Sequence, residues 1–201
     1  MTEIKHIVFD IGHILIHYDP GLPFSRLIPD ARKRAFFFAN VCTGAWNVEQ
    51  DRGRTWAEAE AIKIAEYPDW ETEIRAFRAY WHEMVSHALV ERVGHFERLQ
   101  REGRDVTLLT NFASDTFRQA QEMYPFLKTG RGVTVSGDVK LIKPNLAIYE
   151  LHSRTFALDI EQTLFIDDSL PNIEAARAHG WQGIHLVPGM DLGPELARFD
   201  L

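Results

Sequence analysis

The 201-residue chain carries a single cysteine, Cys42, which excludes an intramolecular disulfide and a thiolate-clustered zinc site. It also lacks an excess of positive charge. Lys and Arg number 22 against 29 Asp and Glu, a formal net charge of −7, which repels a nucleic-acid backbone and an anionic membrane surface alike. A long hydrophobic run is missing as well. The most apolar N-terminal stretch, Ile4 to Ile16, is broken by Asp10, carries His6 and His13, and meets no small-residue cleavage site. It is also shorter than the roughly 20 residues a membrane span needs. The expectation is a cytoplasmic protein, redox-reducing in its surroundings, with no nucleic-acid and no membrane partner. Internal repeats, low-complexity tracts and long linkers are absent, and the 45% of hydrophobic residues can bury a full core.

Five short apolar or β-branched runs are present: Lys5 to Asp10, Asp105 to Asn111, Gly132 to Val135, Leu164 to Asp168 and Gly183 to Val187. Each ends in small or polar residues rather than in a hairpin dipeptide, and helical periodicity fills the intervals between most of them. Near-continuous apolar strands alternating with helices predict an α/β fold, a Rossmann-like doubly wound parallel sheet covered on both faces. Helix punctuation agrees. Leu89, Val93, Phe96 and Leu99 repeat at helical spacing before Gly103, Pro171 to His179 opens on Pro and stops at Gly180, and Pro144 precedes Asn145 to Phe156.

Residues 21–87 differ in character, with no convincing strand and several helices in succession. Thr55 and Glu58 make a capping box for Trp56 to Tyr67, and Asp69 is placed to cap one helix from Trp70 to Met84. Four of the five Trp residues lie here, as a small helical bundle needs for a core of its own. The expected organisation is an α/β core of residues 1–20 and 88–201 with an inserted all-helical cap at 21–87.

Ligands of open α/β sheets bind beyond the carboxyl ends of the strands. The residues found there are Asp10, Thr110 with Asn111, Lys143 just past the third strand, and Asp167 with Asp168. Taken singly, each reads most simply as a cap or a solvated loop residue. Converging on one sheet edge, three carboxylates would repel one another and protonate unless compensated. Mg²⁺ is the natural compensation, because it takes carboxylate oxygens and keeps positions for water and substrate phosphate. Lys143 adds the remaining positive charge.

The motifs Phe9-Asp10-Ile11-Gly12, Leu108-Leu109-Thr110-Asn111, Ile142-Lys143-Pro144 and Phe165-Ile166-Asp167-Asp168 together resemble the four motifs of the haloacid dehalogenase superfamily. The resemblance covers nearly the whole chain, and the helical insertion lies where that family carries its cap. Asp10-x-Gly12, Asp19-Pro20 and Asp51-Arg52-Gly53 are most similar to its bacterial sugar-phosphate phosphatases, the branch that includes glucose-1-phosphate phosphatase. The resemblance implies a phosphoric monoester hydrolase in which Asp10 is the nucleophile and forms an aspartyl-phosphate. It implies that Asp10, the Gly12 carbonyl and Asp168 ligate Mg²⁺, with Asp167 acting directly or through water. Thr110 and Asn111 would then hold the transferring phosphoryl group, and Lys143 would pair with nucleophile and phosphate. The implied partner is a small phosphorylated metabolite, and the implied assembly a monomer or homodimer.

One position departs from the pattern. Most phosphatases of the superfamily have a second Asp two residues after the nucleophile as general acid and base, and here that residue is Gly12. General acid–base help is worth about 10²–10⁴-fold, so its loss should slow turnover or restrict substrates to better leaving groups. Anomeric and aryl phosphates are therefore expected ahead of 6-phosphates. His13, His17 or a cap residue could replace the acid, although a His beside a strand more often packs or caps a loop. His82 and His87 are five residues apart, off the four-residue spacing of a zinc-protease helix. Cys42 reads as a buried inert thiol and Phe36-Phe37-Phe38 as core with some subunit contact. Trp46, Asn47 and Gln50 either pack the cap or lean over the site. The rival functions are a metal-free 2-haloacid dehalogenase, which the Asp167-Asp168 pair argues against, and a weakened binding or regulatory protein of the same fold.

Overall fold

The computed structural model describes residues 3–201. Its centre is a five-stranded, all-parallel sheet of β1 (His6–Phe9), β2 (Asp105–Thr110), β3 (Gly132–Val135), β4 (Thr163–Asp167) and β5 (Gln182–His185), in the order β3-β2-β1-β4-β5. Each strand matches one of the apolar runs to within two residues. Alternate side chains leave opposite faces. Ile7, Phe9, Leu108, Leu164 and Ile166 enter one hydrophobic cluster, while Val8, Leu109 and Phe165 enter the other. Both faces are thus dry, which is why these strands read as unbroken apolar runs.

On the first face lie α7 (Val90–Arg101) and α8 (Ser114–Met123), the crossovers from β1 to β2 and from β2 to β3, contributing Phe96, Leu99, Phe117 and Ala120. The chain then changes side through the short α9 (Ser136–Val139). Next, α10 (Leu146–Thr155) and α11 (Leu170–His179) cover the second face with Ile148, Tyr149, Ile173 and Ala176. A final α12 (Leu192–Ala197) returns to the first face. Strand order therefore reverses between β1 and β4, and their carboxyl ends flank the crevice where such sheets bind ligands. The helix α8 had no clear sequence signature, since its N-cap, Ala113, makes no side-chain capping bond.

Between β1 and β2 the chain inserts α1 (Gly21–Leu27), α2 (Ala31–Phe36), α3 (Gly44–Asp51), α4 (Trp56–Glu66), α5 (Glu71–Ala79) and α6 (Trp81–Met84). Aromatic rings hold this body together: Phe24 stacks on Phe37 at 4.9 Å, and Phe77 meets Trp46 at 5.3 Å and Trp56 at 6.1 Å. The two linkers run side by side, with His17 N–H donating to His87 O, Asp19 N–H to Met84 O and Leu89 N–H to Leu15 O.

The Thr55–Glu58 capping box forms as its residue types dictate. The expected helix from Trp70 to Met84 does not. Pro68 opens a 3₁₀ turn that absorbs Asp69, which caps nothing, and the chain turns again at Tyr80 between α5 and α6. That turn swings Trp81 out of line with Phe77 and onto Phe112, just beyond β2, at 5.6 Å. Tertiary contact thus breaks a segment that helical propensity alone would keep whole. His82 and His87 consequently share no helix. Among the described residues, no helix is long and apolar enough to cross a membrane.

Candidate active site

Asp10 directly follows β1, and its N–H continues the sheet ladder to Ile166 O at 2.9 Å. Asp167 ends β4 on the adjacent strand, so the parallel register sets the two carboxylates side by side. Lys143 joins them. Its Nζ lies 2.8 Å from Asp10 Oδ1 and 2.7 Å from Asp167 Oδ2, and donates to Leu109 O at 3.1 Å. All three side chains are almost out of solvent, with residue exposures of 8% for Asp10, 3% for Lys143 and 0% for Asp167.

Each side chain in this cluster is held by another. Asp167 Oδ1 accepts from Ser169 N–H at 2.8 Å and Asn172 Nδ2 at 3.0 Å. The carbonyl of Asn172 in turn takes the Tyr149 hydroxyl at 2.9 Å. Asn172 and Tyr149 carry no signal in the sequence, because an Asn in the first turn of a helix and a Tyr in an apolar face both look ordinary. Asn111 clamps the Lys143 peptide from both sides, accepting from its N–H at 2.8 Å and donating to its O at 3.0 Å. The sequence sends Asn111 to a phosphoryl group; its side chain is engaged with the lysine loop, and the residue lines the cavity above it. Both oxygens of Asp167 are likewise engaged, which sets it behind Lys143 rather than at the cavity surface.

Burial disfavours the Lys143 ammonium, yet Asp10 and Asp167 overcome it and hold its pKa above the ordinary value. Burial pushes the Asp10 carboxyl up, and Asp167 adds to this while Lys143 opposes it. Asp168 is raised by burial and then by Asp167. One ammonium thus leaves three converging acids undercompensated, and oxygens of Asp10, Asp167 and Asp168 lie within 4.8 Å of one another. That donor set, all hard oxygen with excess negative charge, fits Mg²⁺.

A cavity of about 150 Å³ opens over the group. Its floor is Asp10, Gly12, Thr110, Asn111, Lys143 and Asp168, and Asn47, Asp51 and Trp56 reach in from the helical insertion. Ile16, Tyr18, Trp81, Val85 and Phe112 complete an apolar wall. Of Trp46, Asn47 and Gln50, only Asn47 lines this space. Gln50 donates to Trp46 O at 2.7 Å and accepts from Arg54, and Trp46 packs between Trp56 and Phe77. His13 lines the cavity with a left-handed backbone, φ 56°, and partly opposes the rise at Asp168. His17 is turned away, stacked on His87 at 4.7 Å. Burial pushes the Cys42 thiol up to about 12, as an inert core thiol requires.

In the sequence Asp51 stands out only as part of the Asp51-Arg52-Gly53 motif. It ends α3, and burial raises its carboxyl to about 7, opposed only by the Ala113 N–H.

No protein-family model matches the chain. A sesquiterpene phosphatase, astK, from Aspergillus oryzae is 32% identical over 100 residues, covering 50% of this chain and 51% of that protein. The chain therefore aligns with about half the length of that relative. Among solved structures, a HAD family enzyme from Bacteroides thetaiotaomicron superposes with a TM-score of 0.77 at 20% identity, over 97% of this chain and 99% of that one. The wild-type form of that enzyme in complex with magnesium and inorganic phosphate gives 0.73 at 20% identity, over 96% and 98%. The L-2-haloacid dehalogenase of Xanthobacter autotrophicus, with chloropropionic acid covalently bound, gives 0.66 at 15% identity, over 97% and 83%. The chain has the haloacid dehalogenase fold.

Proposed function

We propose that the protein is a Mg²⁺-dependent phosphatase that hydrolyses a small phosphomonoester through an aspartyl-phosphate on Asp10. The observation that carries this reading is the buried Asp10–Lys143–Asp167 chain with Asp168 beside it at the floor of the cavity. Lys143 fixes Asp10 Oδ1 and leaves the other oxygen to attack phosphorus. The Asp10–phosphorus bond forms as the bond to the leaving oxygen breaks, and water then displaces the carboxylate. Thr110 and backbone N–H groups at the strand ends hold the phosphoryl oxygens. Asp167 and Asn172 orient Lys143, and Asn111 orients its loop. Asp10, Asp168 and the Gly12 carbonyl would hold Mg²⁺, which when bound neutralises the excess acid and polarises the phosphoryl group.

The substrate reading is a sugar phosphate, with anomeric phosphates favoured. Support comes from the aromatic wall, which can lie against a sugar ring, from the polar Asn47 and Asp51 beside it, and from Gly12, which brings no acid to a poor leaving group. The apolar share of the wall and the partial likeness to a sesquiterpene phosphatase favour a second candidate, a terpenyl phosphate. A haloacid would place its own carboxylate against Asp168, which disfavours dehalogenation. The helical insertion acts as the cap that closes over the substrate.

Phosphate release from a panel of hexose 1- and 6-phosphates, aryl phosphates and a terpenyl phosphate, with Mg²⁺ and with EDTA, tests the reading. Activity should vanish with EDTA and fall by at least about 10³-fold in Asp10→Asn. Release that survives EDTA, or survives loss of Asp10, overturns it. Turnover of 6-phosphates equal to that of 1-phosphates removes the anomeric preference alone.

A further inference from the structure

We propose that Asp51, carried by the helical insertion, is the proton-transfer residue that Gly12 cannot be: it protonates the leaving oxygen and then takes the proton of the attacking water. The assignment rests on the phosphatase reading above and names the acid that reading leaves open.

Three features place Asp51 in that role. Its side chain lines the same cavity as Asp10, Thr110 and Lys143, and does so from the insertion side, where a leaving group bound over the phosphoryl site must lie. Its position is built rather than accidental. The Ser136 hydroxyl donates to the Asp51 carbonyl at 2.6 Å, and Gly53, two residues on, has φ +101° with its Cα so near Gly137 O that a Cβ would sit 3.2 Å away. Only glycine combines that backbone with that approach. Together the two contacts seat the end of α3 on the loop after β3. Finally, Asp51 is the cavity acid with neither a cationic partner nor a place in the oxygen cluster. Asp10 is bound to Lys143 and Asp168 belongs to the cluster, whereas Asp51 forms no ion pair among the described residues.

Its surroundings suit a group that both gives and takes a proton. The titratable neighbours are Tyr18 on the linker, a phenol whose pKa burial raises further, and across the cavity Asp10, His13, Lys143 and Asp168. Lys140 lies against Gly53 rather than in the cavity lining. Burial keeps the Asp51 carboxyl protonated to about 7, so both forms are present near neutral pH, where proton transfer is most effective.

The step balances. Protonated Asp51 gives its proton to the leaving oxygen as that oxygen takes the electron pair of the breaking P–O bond and Asp10 binds phosphorus. Ionised Asp51 then accepts a proton from water as the water oxygen bonds to phosphorus and Asp10 leaves. Phosphate is released and both carboxyl groups return to their starting forms.

The test compares wild type with Asp51→Asn, both with Mg²⁺, on p-nitrophenyl phosphate and on an alkyl phosphate such as a hexose 6-phosphate. An alkoxide needs a proton to leave and a nitrophenolate does not. The expected result is a fall in kcat/KM of about 10²-fold or more on the alkyl phosphate and under about tenfold on the aryl one. In the variant, the aryl substrate should also give a rapid burst of nitrophenol followed by slow turnover, with phosphoenzyme trapped on acid quench. Because a Cβ at Gly12 meets nothing within 4 Å, Gly12→Asp added to Asp51→Asn should restore alkyl phosphate turnover. Should Asp51→Asn prove unstable, Ser136→Ala, which releases the Asp51 carbonyl, should show the same leaving-group dependence in weaker form.

A uniform fall on both substrates, no fall, or the leaving-group pattern appearing in His13→Asn instead overturns the assignment. If wild type itself releases phosphate from nothing on the panel, the phosphatase reading fails and takes the assignment with it. With Asp51 supplying the proton, the steep preference for good leaving groups drawn from Gly12 becomes the property of the Asp51→Asn variant, and wild type shows it in moderated form.

Discussion

The two walls of the cavity are built on different principles. On the sheet side, Asp10, Lys143 and Asp167 are almost wholly buried, and each is tied to a neighbour that is itself tied down, through Asn111, Asn172 and Tyr149. On the insertion side, Asn47, Asp51 and Trp56 are only partly buried, and several polar bonds seat the insertion on the core. Trp56 Nε1 donates to Asp115 at 3.1 Å, Arg78 pairs with Asp115 at 2.8 Å, and Ser136 reaches Asp51 O. The first arrangement suits a nucleophile that must not move by a fraction of an ångström. The second suits a surface that meets a variable leaving group and must release it.

Breaking the sheet side should cost most. Lys143→Ala leaves Asp10 and Asp167 buried without their cation, which destabilises by about 3–5 kcal/mol and abolishes phosphate release. Denaturant titration of wild type and variant checks the first effect; a change under about 1 kcal/mol would show the pair to be wetter than its exposure implies.

On the insertion side, Asp51 sharpens the contrast through pH. Unfolded, its carboxyl ionises near 3.8; folded, it keeps its proton to about 7. Between those values the folded state binds more protons, so Asp51 contributes a loss of stability as pH rises through that window. Asp51→Asn removes this slope. The variant should gain about 1–3 kcal/mol on wild type between pH 4 and pH 8 in metal-free buffer, after discounting for solvent at its open edge. Parallel stability curves for the two proteins would show an Asp51 that ionises normally.

The smallest effect belongs to Asp115→Ala, which removes two exposed contacts of the insertion. Stability should change by about 1 kcal/mol or less. KM should rise by a few-fold with kcat nearly unchanged, a split that separates cap docking from chemistry and that steady-state kinetics reads directly.

How much of this was legible in the sequence follows the same division. The five strands were visible because both faces of a parallel sheet are dry, so their residues stand out as apolar runs. The site acids were visible because they end those strands. The capping box at Thr55 and the glycine stop at Gly180, φ 104°, were visible because they are local rules. Less visible was α8, whose start carries no cap. The break at Tyr80 was also hidden, because the cause is Phe112, more than thirty residues away. The clamp that the Asn111 side chain makes on the Lys143 peptide, thirty-two residues on, left no mark in the sequence. Asn172, which holds Asp167, left none either.

By itself, the order of apolar runs and terminal acids determined the parallel α/β sheet and the carboxylates and lysine at its carboxyl edge. Backbone periodicity and the burial of both sheet faces act residue by residue along the chain. Only the tertiary structure decided which of those polar groups bind one another, which face the cavity, and that Asp51 enters it from the insertion. Those outcomes depend on distances between segments from about twenty to more than a hundred and fifty residues apart, where hydrogen-bond geometry and desolvation, rather than local pattern, set the result.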